Sequence, residues 1–368
     1  MNKVLPFRSV LIFGGAGFIG SNLAHRLLQD RDVRVHVFDN LSRQGVEHNL
    51  RSLQRAALGS DRLRVTIGDI RNAALVENAV QSATEIYHLA AQVAVTSSVA
   101  NPRFDFEVNA GGTLNILEAA RKTERKPFLL FTSTNKVYGH LSSYKLVRTN
   151  LRYTCPETQG VSEVQPLDFY SPYGCSKGTA DQYVRDYARI YGLPTVVFRM
   201  SCIAGARQFG NEDQGWVAHF LYSALDRRPL TIYGDGLQVR DVLCVEDLMN
   251  AFEAVRVNLG TAAGQVYNVG GGLENAVSLL ELIGHIEKLT GCKMRYRFEP
   301  ARPGDQLFYV TDFSKLTQHT KWRPRMNVRQ TLMAIHDWWK QSSEFQGTAF
   351  SPVSISSAAL EHLPGVAS

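Results

Sequence analysis

Apolar residues along the chain fall into short unbroken runs separated by stretches in which they recur every three or four positions. The first run is Val10-Leu11-Ile12-Phe13. Others lie at 34–38, 63–67, 85–89, 128–131 and 195–198. Runs of this length read as buried strands. Helical periodicity fills 18–28, 73–82, 108–121 and 176–191. Strand and helix alternating through short connections predict a parallel sheet covered on both faces. In such sheets ligands bind beyond the carboxyl ends of the strands, so the residues there are expected to line one crevice. After Ser201 the pattern loosens. A Gly-rich polar loop at 205–214 precedes helical stretches at 215–227, 246–257, 278–290 and 328–340, with short strands at 230–233 and 241–245. The expected organisation is a first domain over 1–200 and a smaller mixed α/β lobe over 201–340. The chain is expected to return to the first sheet near 266–268. The Ser-, Ala-, Gly- and Pro-rich 341–368 reads as a flexible tail.

The first strand runs into Gly14-Gly15-Ala16-Gly17-Phe18-Ile19-Gly20, where the next helix begins. Residues without a Cβ allow a tight strand-to-helix turn and a close approach by a pyrophosphate. The helix start then offers N–H groups and the positive end of its dipole. Asp39 ends the second strand 19 residues after Gly20, where a ribose-binding carboxylate is expected. The three signals together predict a Rossmann-type, doubly wound α/β sheet that binds a dinucleotide.

Bulk composition narrows the partners. Hydrophobic residues make up 44% and charged residues 20% of 368, as in a globular protein of one large or two moderate domains. The formal charge of +6 comes without a Lys/Arg run, which argues against a nucleic-acid partner and suits an anionic small substrate. No apolar run reaches the roughly 18 residues of a membrane span, and the first eight residues do not read as a secretory signal. The five cysteines are scattered, with no CxxC pair and no HExxH among the histidines. Neither a disulfide framework nor a metal site is expected, and the expected location is cytoplasmic.

Tyr173 and Lys177 stand four apart at a helix start, on one helical face. A phenol with a pKa near ~10 is a poor base at neutral pH, and a nearby ammonium lowers it. So tuned, it can take a proton from a sugar hydroxyl while hydride leaves the same carbon. Thr132-Ser133-Thr134 brings hydroxyls to the end of the fifth strand.

The glycine turn, Asp39, Asp69-Ile70, Leu89-Ala90-Ala91 and the Tyr-x-x-x-Lys helix together resemble the nucleotide-sugar epimerase/dehydratase family of extended short-chain dehydrogenases/reductases, over about 10–339. The resemblance implies NAD as cofactor. Gly14, Gly17, Phe18, Ile19 and Gly20 would hold its pyrophosphate. Asp39, Asn40, Ser42 and Arg43 would surround the adenine-side ribose, with Asp39 repelling the 2′-phosphate of NADP. Asp69 and Ile70 would flank the adenine, Leu89, Ala90 and Ala91 would line the site, and Tyr173 and Lys177 would reach the nicotinamide end. Thr134, Tyr173 and Lys177 would be catalytic. Arg240 and Arg302 match positions that grip the substrate diphosphate, for which a guanidinium fork is suited. Asn135 would also face the substrate, and Asp305 the nucleotide ribose. The helical stretches 108–121 and 176–191 would form a homodimer or homotetramer contact.

The family's 4,6-dehydratases carry an Asp-Glu pair after the strand-end Thr, and Asn135-Lys136 stands there in this chain. Elimination lacks its acid/base couple, whereas reversible oxidation needs no second acid beside Tyr173. Stretches 39–43, 133–138, 152–155, 171–178, 205–209 and 213–217 resemble the family's branch of CDP-dideoxyhexose 2-epimerases. That branch implies a CDP-sugar oxidised at C2 and reduced from the other face, with Gln208, Phe209 and Gln214 as candidate contacts. A 4-epimerase or a reductase is the competing enzyme reading, although Cys202 stands where the family's 4-epimerases commonly carry Asn. A non-catalytic cofactor-sensing scaffold is the reading from another class, and such scaffolds often lose the Tyr or Lys that this chain keeps.

Overall fold

The computed structural model describes residues 8–342 except Pro303, so 1–7 and nearly all of the 341–368 tail lie outside the described residues. Seven strands form one parallel sheet: β1 (Arg8–Phe13), β2 (Val33–Asp39), β3 (Leu63–Ile67), β4 (Glu85–His88), β5 (Phe128–Thr134), β6 (Thr195–Met200) and β7 (Gln265–Val269). Their order across the sheet is β7-β6-β5-β4-β1-β2-β3. Ile12 of β1 lies between Val37 of β2 and Tyr87 of β4. The direction of winding reverses between β1 and β4, and this opens a crevice at their carboxyl ends.

Successive residues in each apolar run point to opposite faces. Val10, Ile12, Val35, Val37, Leu130 and Phe198 pack on one side with the Phe18–Leu27, Val46–Ala56 and Val245–Val257 helices. Leu11, Phe13, Phe38, Ile86, Leu129 and Phe131 pack on the other with Ala73–Val80, Gly112–Lys122 and Ser171–Tyr191. Full burial of each large apolar side chain contributes roughly 1.5–3 kcal/mol.

Three boundaries differ from the periodicity in ways that matter to the site. Strand β5 runs on through Thr132-Ser133-Thr134, which pairs with β6 and is buried. Polar side chains hide the strand's continuation from a hydrophobic pattern. The helix expected from 176 begins at Ser171, with Pro172 in its first turn, where its missing N–H costs nothing. The stretch 108–121 is not one regular helix, because a π-helical turn, Glu107–Gly111, precedes Gly112–Lys122.

The second lobe centres on the Val239–Cys244 strand. It pairs with Ala276–Ser278, Phe308–Tyr309 and, along its second half, Cys202–Ala204. Leu221, Ile232, Leu282, Ile286, Leu332 and Ile335 form its core. The long 140–168 connection is pinned to this lobe. Arg152 donates to Glu281 at 2.7 Å, and Tyr153 donates to Asp235 at 2.8 Å. Among the described residues, no helix is long and apolar enough to cross a membrane.

Candidate active site

At the crevice, Gly14 takes a φ of 77° directly against the segment after β4, and a Cβ there would lie 2.7 Å from the Ala90 backbone nitrogen. A Cβ on Gly20 would lie 2.2 Å from the Gly14 carbonyl oxygen. The Phe18–Leu27 helix starts at Gly17 with no side-chain cap, so its end can receive an anion. Asp39 faces the same turn and accepts from the backbone N–H groups of Ala16 (3.0 Å) and Leu41 (2.9 Å). Burial raises its pKa, and those hydrogen bonds oppose the rise. A cradle this tight, an open helix end and an adjacent carboxylate fit the diphosphate and ribose of NAD. Gly20→Ala is therefore expected to weaken NAD binding about 10- to 100-fold, because overpacking costs about 1–3 kcal/mol. Fluorescence titration of the stripped protein measures this.

Around the crevice the other expected cofactor residues take distinct positions. Asn40 donates to Asp69 at 3.2 Å, joining the ends of β2 and β3. Asp69 also binds Arg71 through both oxygens, which holds its pKa down. Ile70 turns its side chain into the core against Gly112. The Leu89 N–H bonds the Phe13 carbonyl at 2.9 Å, which sets Leu89 and Ala90, with Ala91 next in the chain, against Gly14. The Ser42 N–H bonds Asn40, and the Arg43 guanidinium reaches across to the Gln214 side chain.

Tyr173, Thr134 and Lys177 come together at the end of β5. Tyr173 and Lys177 are buried on one face of the Ser171–Tyr191 helix. The Ser171 hydroxyl accepts from the Gly174 N–H (3.2 Å), and the Ser98 hydroxyl from the Tyr173 N–H (3.1 Å), which fixes the first turn. Burial pushes the Tyr173 phenol up to about 12, against a hydrogen bond with Thr134 and the charge of Arg43. The expectation that Lys177 lowers this pKa is not what the structure shows. Burial brings Lys177 itself down to about 7, so its charge is only partly present at neutral pH. Its ammonium donates to the Thr132 carbonyl at 2.6 Å and sits 4.1 Å from the centre of the Phe131 ring. Behind the helix, Asn109 donates to Ser176 (3.0 Å) and Asp105 (3.2 Å). This polar support escapes sequence reading because its members are far apart in the chain.

On the lobe side, Asn135 accepts from Thr134 at 3.3 Å and donates to buried Gln306 at 3.4 Å. Gln306 donates to the Gly139 carbonyl (2.6 Å), and its own carbonyl accepts from Arg240 (2.6 Å). Gln306 thus links the catalytic strand end to Arg240, and nothing in the local sequence marks it. Arg302 packs against the 211–214 loop. Its guanidinium is 3.7 Å from the Tyr233 ring centre and 3.4 Å from an Asp213 oxygen, and it donates to the Glu212 carbonyl at 3.1 Å. Asp305 lies 3.6 Å from Lys136. Gln208 is buried and donates to the Ile203 carbonyl (3.1 Å), while its own side-chain oxygen has no hydrogen-bond partner. Phe209 packs beneath Gly45 beside His48 and Trp338. Among the described residues no cluster of His, Cys, Asp or Glu is placed to hold a metal ion.

Residues 11–335 match the family described as GDP-mannose 4,6 dehydratase. The CDP-paratose 2-epimerase of Salmonella typhi is 44% identical over 337 residues, spanning 89% of this chain and 98% of that protein. The dTDP-glucose 4,6-dehydratase of Salmonella typhimurium is 31% identical over 352 residues, spanning 91% and 94%. Among solved structures, the UDP-glucuronic acid 4-epimerase from Bacillus cereus in complex with UDP-glucuronic acid and NAD superposes with a TM-score of 0.78 at 27% identity, covering 90% of this chain and 99% of that one. The chain belongs to the GDP-mannose 4,6 dehydratase family of NAD-dependent nucleotide-sugar epimerases and dehydratases, within the extended short-chain dehydrogenases/reductases.

Proposed function

We propose that this enzyme uses NAD to invert C2 of a CDP-dideoxyhexose of the paratose/tyvelose type. The observation that carries this reading is the strand end. Tyr173, Thr134 and Lys177 are assembled there, but Asn135 and Lys136 stand where elimination would need two carboxylates. The likeness to a CDP-paratose 2-epimerase over nearly its whole length supports the carbon and the base.

NAD, when bound, supplies a hydride acceptor that gives the same hydride back. The chain's residues handle the proton and the positioning. The Tyr173 oxygen takes the proton of the C2 hydroxyl and later returns it to the reduced oxygen. Thr134 bonds that phenol and orients the reacting oxygen. Lys177 holds the cofactor's ribose from the Thr132 side. Asp39, Asn40, Ser42 and Arg43 surround the adenosine ribose. Arg240 and Arg302 bind the diphosphate from the second lobe, Arg302 after release from Glu212 and Asp213. Asp305 takes the nucleotide ribose, and Gln208 and Gln214 take the sugar-nucleotide. Domain boundaries follow from this division: 1–200 with the β7 strand binds NAD, and 201–340 binds substrate. Exposed Leu114, Tyr183 and Ile190 on the Gly112–Lys122 and Ser171–Tyr191 helices suit a contact between copies of the chain.

The test offers CDP- and UDP-sugars in heavy water and follows each product by NMR. Inversion at C2 without deuterium at that carbon is the expected result. Deuterium at the inverted carbon would mean proton abstraction and would sink hydride return. Inversion at C4 would favour the competing 4-epimerase.

A further inference from the structure

We propose that Lys136 is a third cation of the diphosphate site, at its sugar end, where it binds the sugar-side phosphate next to Arg240. The inference rests on the nucleotide-sugar reading above. Lys136 follows Thr134 by two residues, in the Asn135–Tyr138 turn that closes β5. Its side chain is 16% exposed. The ammonium donates to the Gly304 carbonyl at 2.9 Å and lies 3.6 Å from Asp305, whose side chain is 42% exposed. An ammonium has three N–H donors. These contacts occupy two at most, and the third has no acceptor among the described residues.

The charge balance points the same way. Arg240 is close enough to act on Lys136, and both cations act on Cys202. The Cys202 thiol does not offset them. Burial raises its pKa, and it accepts a hydrogen bond from the Trp216 indole N–H at 3.2 Å. The Arg240 guanidinium is fixed by the Val239 carbonyl (2.7 Å) and the Gln306 carbonyl (2.6 Å), both uncharged. Two cations thus stand near the half-exposed Asp305 carboxylate and the buried Asp241 carboxylate, which also acts on Cys202 but whose oxygens accept from the Ser201 hydroxyl and the Gly272 N–H. Buried like charges repel, and an unfilled charged donor is costly away from water. Lys136 also ties the strand-end turn to residues 304–305, and an incoming anion would fill its remaining donor and ease its repulsion with Arg240. Burial first, then Arg240, brings the Lys136 ammonium down to about 8, which leaves it mostly charged at neutral pH. Lys136 stands two residues after Thr134, at the strand end where the proposed reaction takes place, which assigns it to the sugar side of the diphosphate.

The experiment measures binding of CDP and CMP to the NAD-loaded enzyme by calorimetry, for wild type, Lys136→Gln and Lys136→Arg. Loss of a charge-assisted hydrogen bond predicts about 10- to 100-fold weaker CDP binding for Lys136→Gln, with CMP changed less than about threefold. Lys136→Arg is expected to recover most of the loss. Equal weakening of CDP and CMP overturns the proposal. So does unchanged CDP affinity with lost turnover, which would place Lys136 on the sugar. Thermal unfolding of both variants guards against misfolding, and Lys136→Met substitutes for a variant that fails to fold. If UDP binds wild type and CDP does not, the CDP reading falls, and UDP against UMP decides Lys136. If no nucleoside diphosphate binds, both fall.

Discussion

Tyr173→Phe lowers kcat by about 10²- to 10⁴-fold, the usual contribution of a positioned acid/base group, and leaves NAD bound. The ring is buried, and the backbone N–H of Tyr173 is held by the Ser98 hydroxyl whatever the side chain, so the phenylalanine keeps the packing and loses only the oxygen. That oxygen bonds Thr134 and has a pKa pushed up to about 12 by burial, with Arg43 the cation pulling it back. At neutral pH the phenol of the cofactor-free protein holds its proton. Catalysis therefore needs added positive charge near the phenol, and the wild-type rate should rise with pH as the phenol ionises. The variant loses that rise along with the rate. Stopped-flow turnover across pH, with bound NAD measured after gel filtration, checks both. Normal turnover by the variant would remove Tyr173 from the mechanism.

The sequence made this centre legible where one element carries several signals at once. The glycine turn, the strand before it and Asp39 sit on consecutive elements, and the β1–β2 pairing brings them together. Tyr173 and Lys177 share one helix, so spacing alone places them on one face. What spacing could not supply is the electrostatic environment. Burial brings the Lys177 pKa down to about 7 and one of its N–H donors goes to the Thr132 carbonyl, neither of which spacing shows. Long-range partners were equally hidden. Gln306 reaches Asn135 across 171 positions of sequence, and Asp213 meets Arg302 across a loop that reads only as polar. The Val46–Ala56 helix escaped because Val46, Leu50 and Leu53 are its only buried apolar residues in a charged stretch. Phe209, a candidate contact by resemblance, is half-buried against the second-lobe core, with Gly45 leaving room for its ring.

Arg199→Leu is expected to destabilise the fold by about 3–5 kcal/mol, the cost of breaking a buried ion pair from one side. Arg199 and Asp181 meet through two parallel hydrogen bonds of 2.8 and 2.9 Å, with side chains 4% and 0% exposed. Arg199 also donates to the Tyr138 hydroxyl at 3.0 Å, which in turn donates to Asn268 at 2.7 Å. One guanidinium thus ties β6 to the catalytic helix and, through Tyr138, to β7. The leucine leaves Asp181 ionised without a partner or forces it to take a proton. Either outcome reaches the active site, because Asp181 is the leading charge that opposes the burial-driven fall in the Lys177 pKa. The variant should therefore lose stability and activity together. Arg199→Leu combined with Asp181→Leu should recover stability, since apolar pairs replace buried ion pairs at little cost, but not activity. Denaturant midpoints for the two single variants and the double variant measure the coupling. A loss under about 1 kcal/mol in Arg199→Leu would mean that water reaches Asp181 and that the pair is not the brace described.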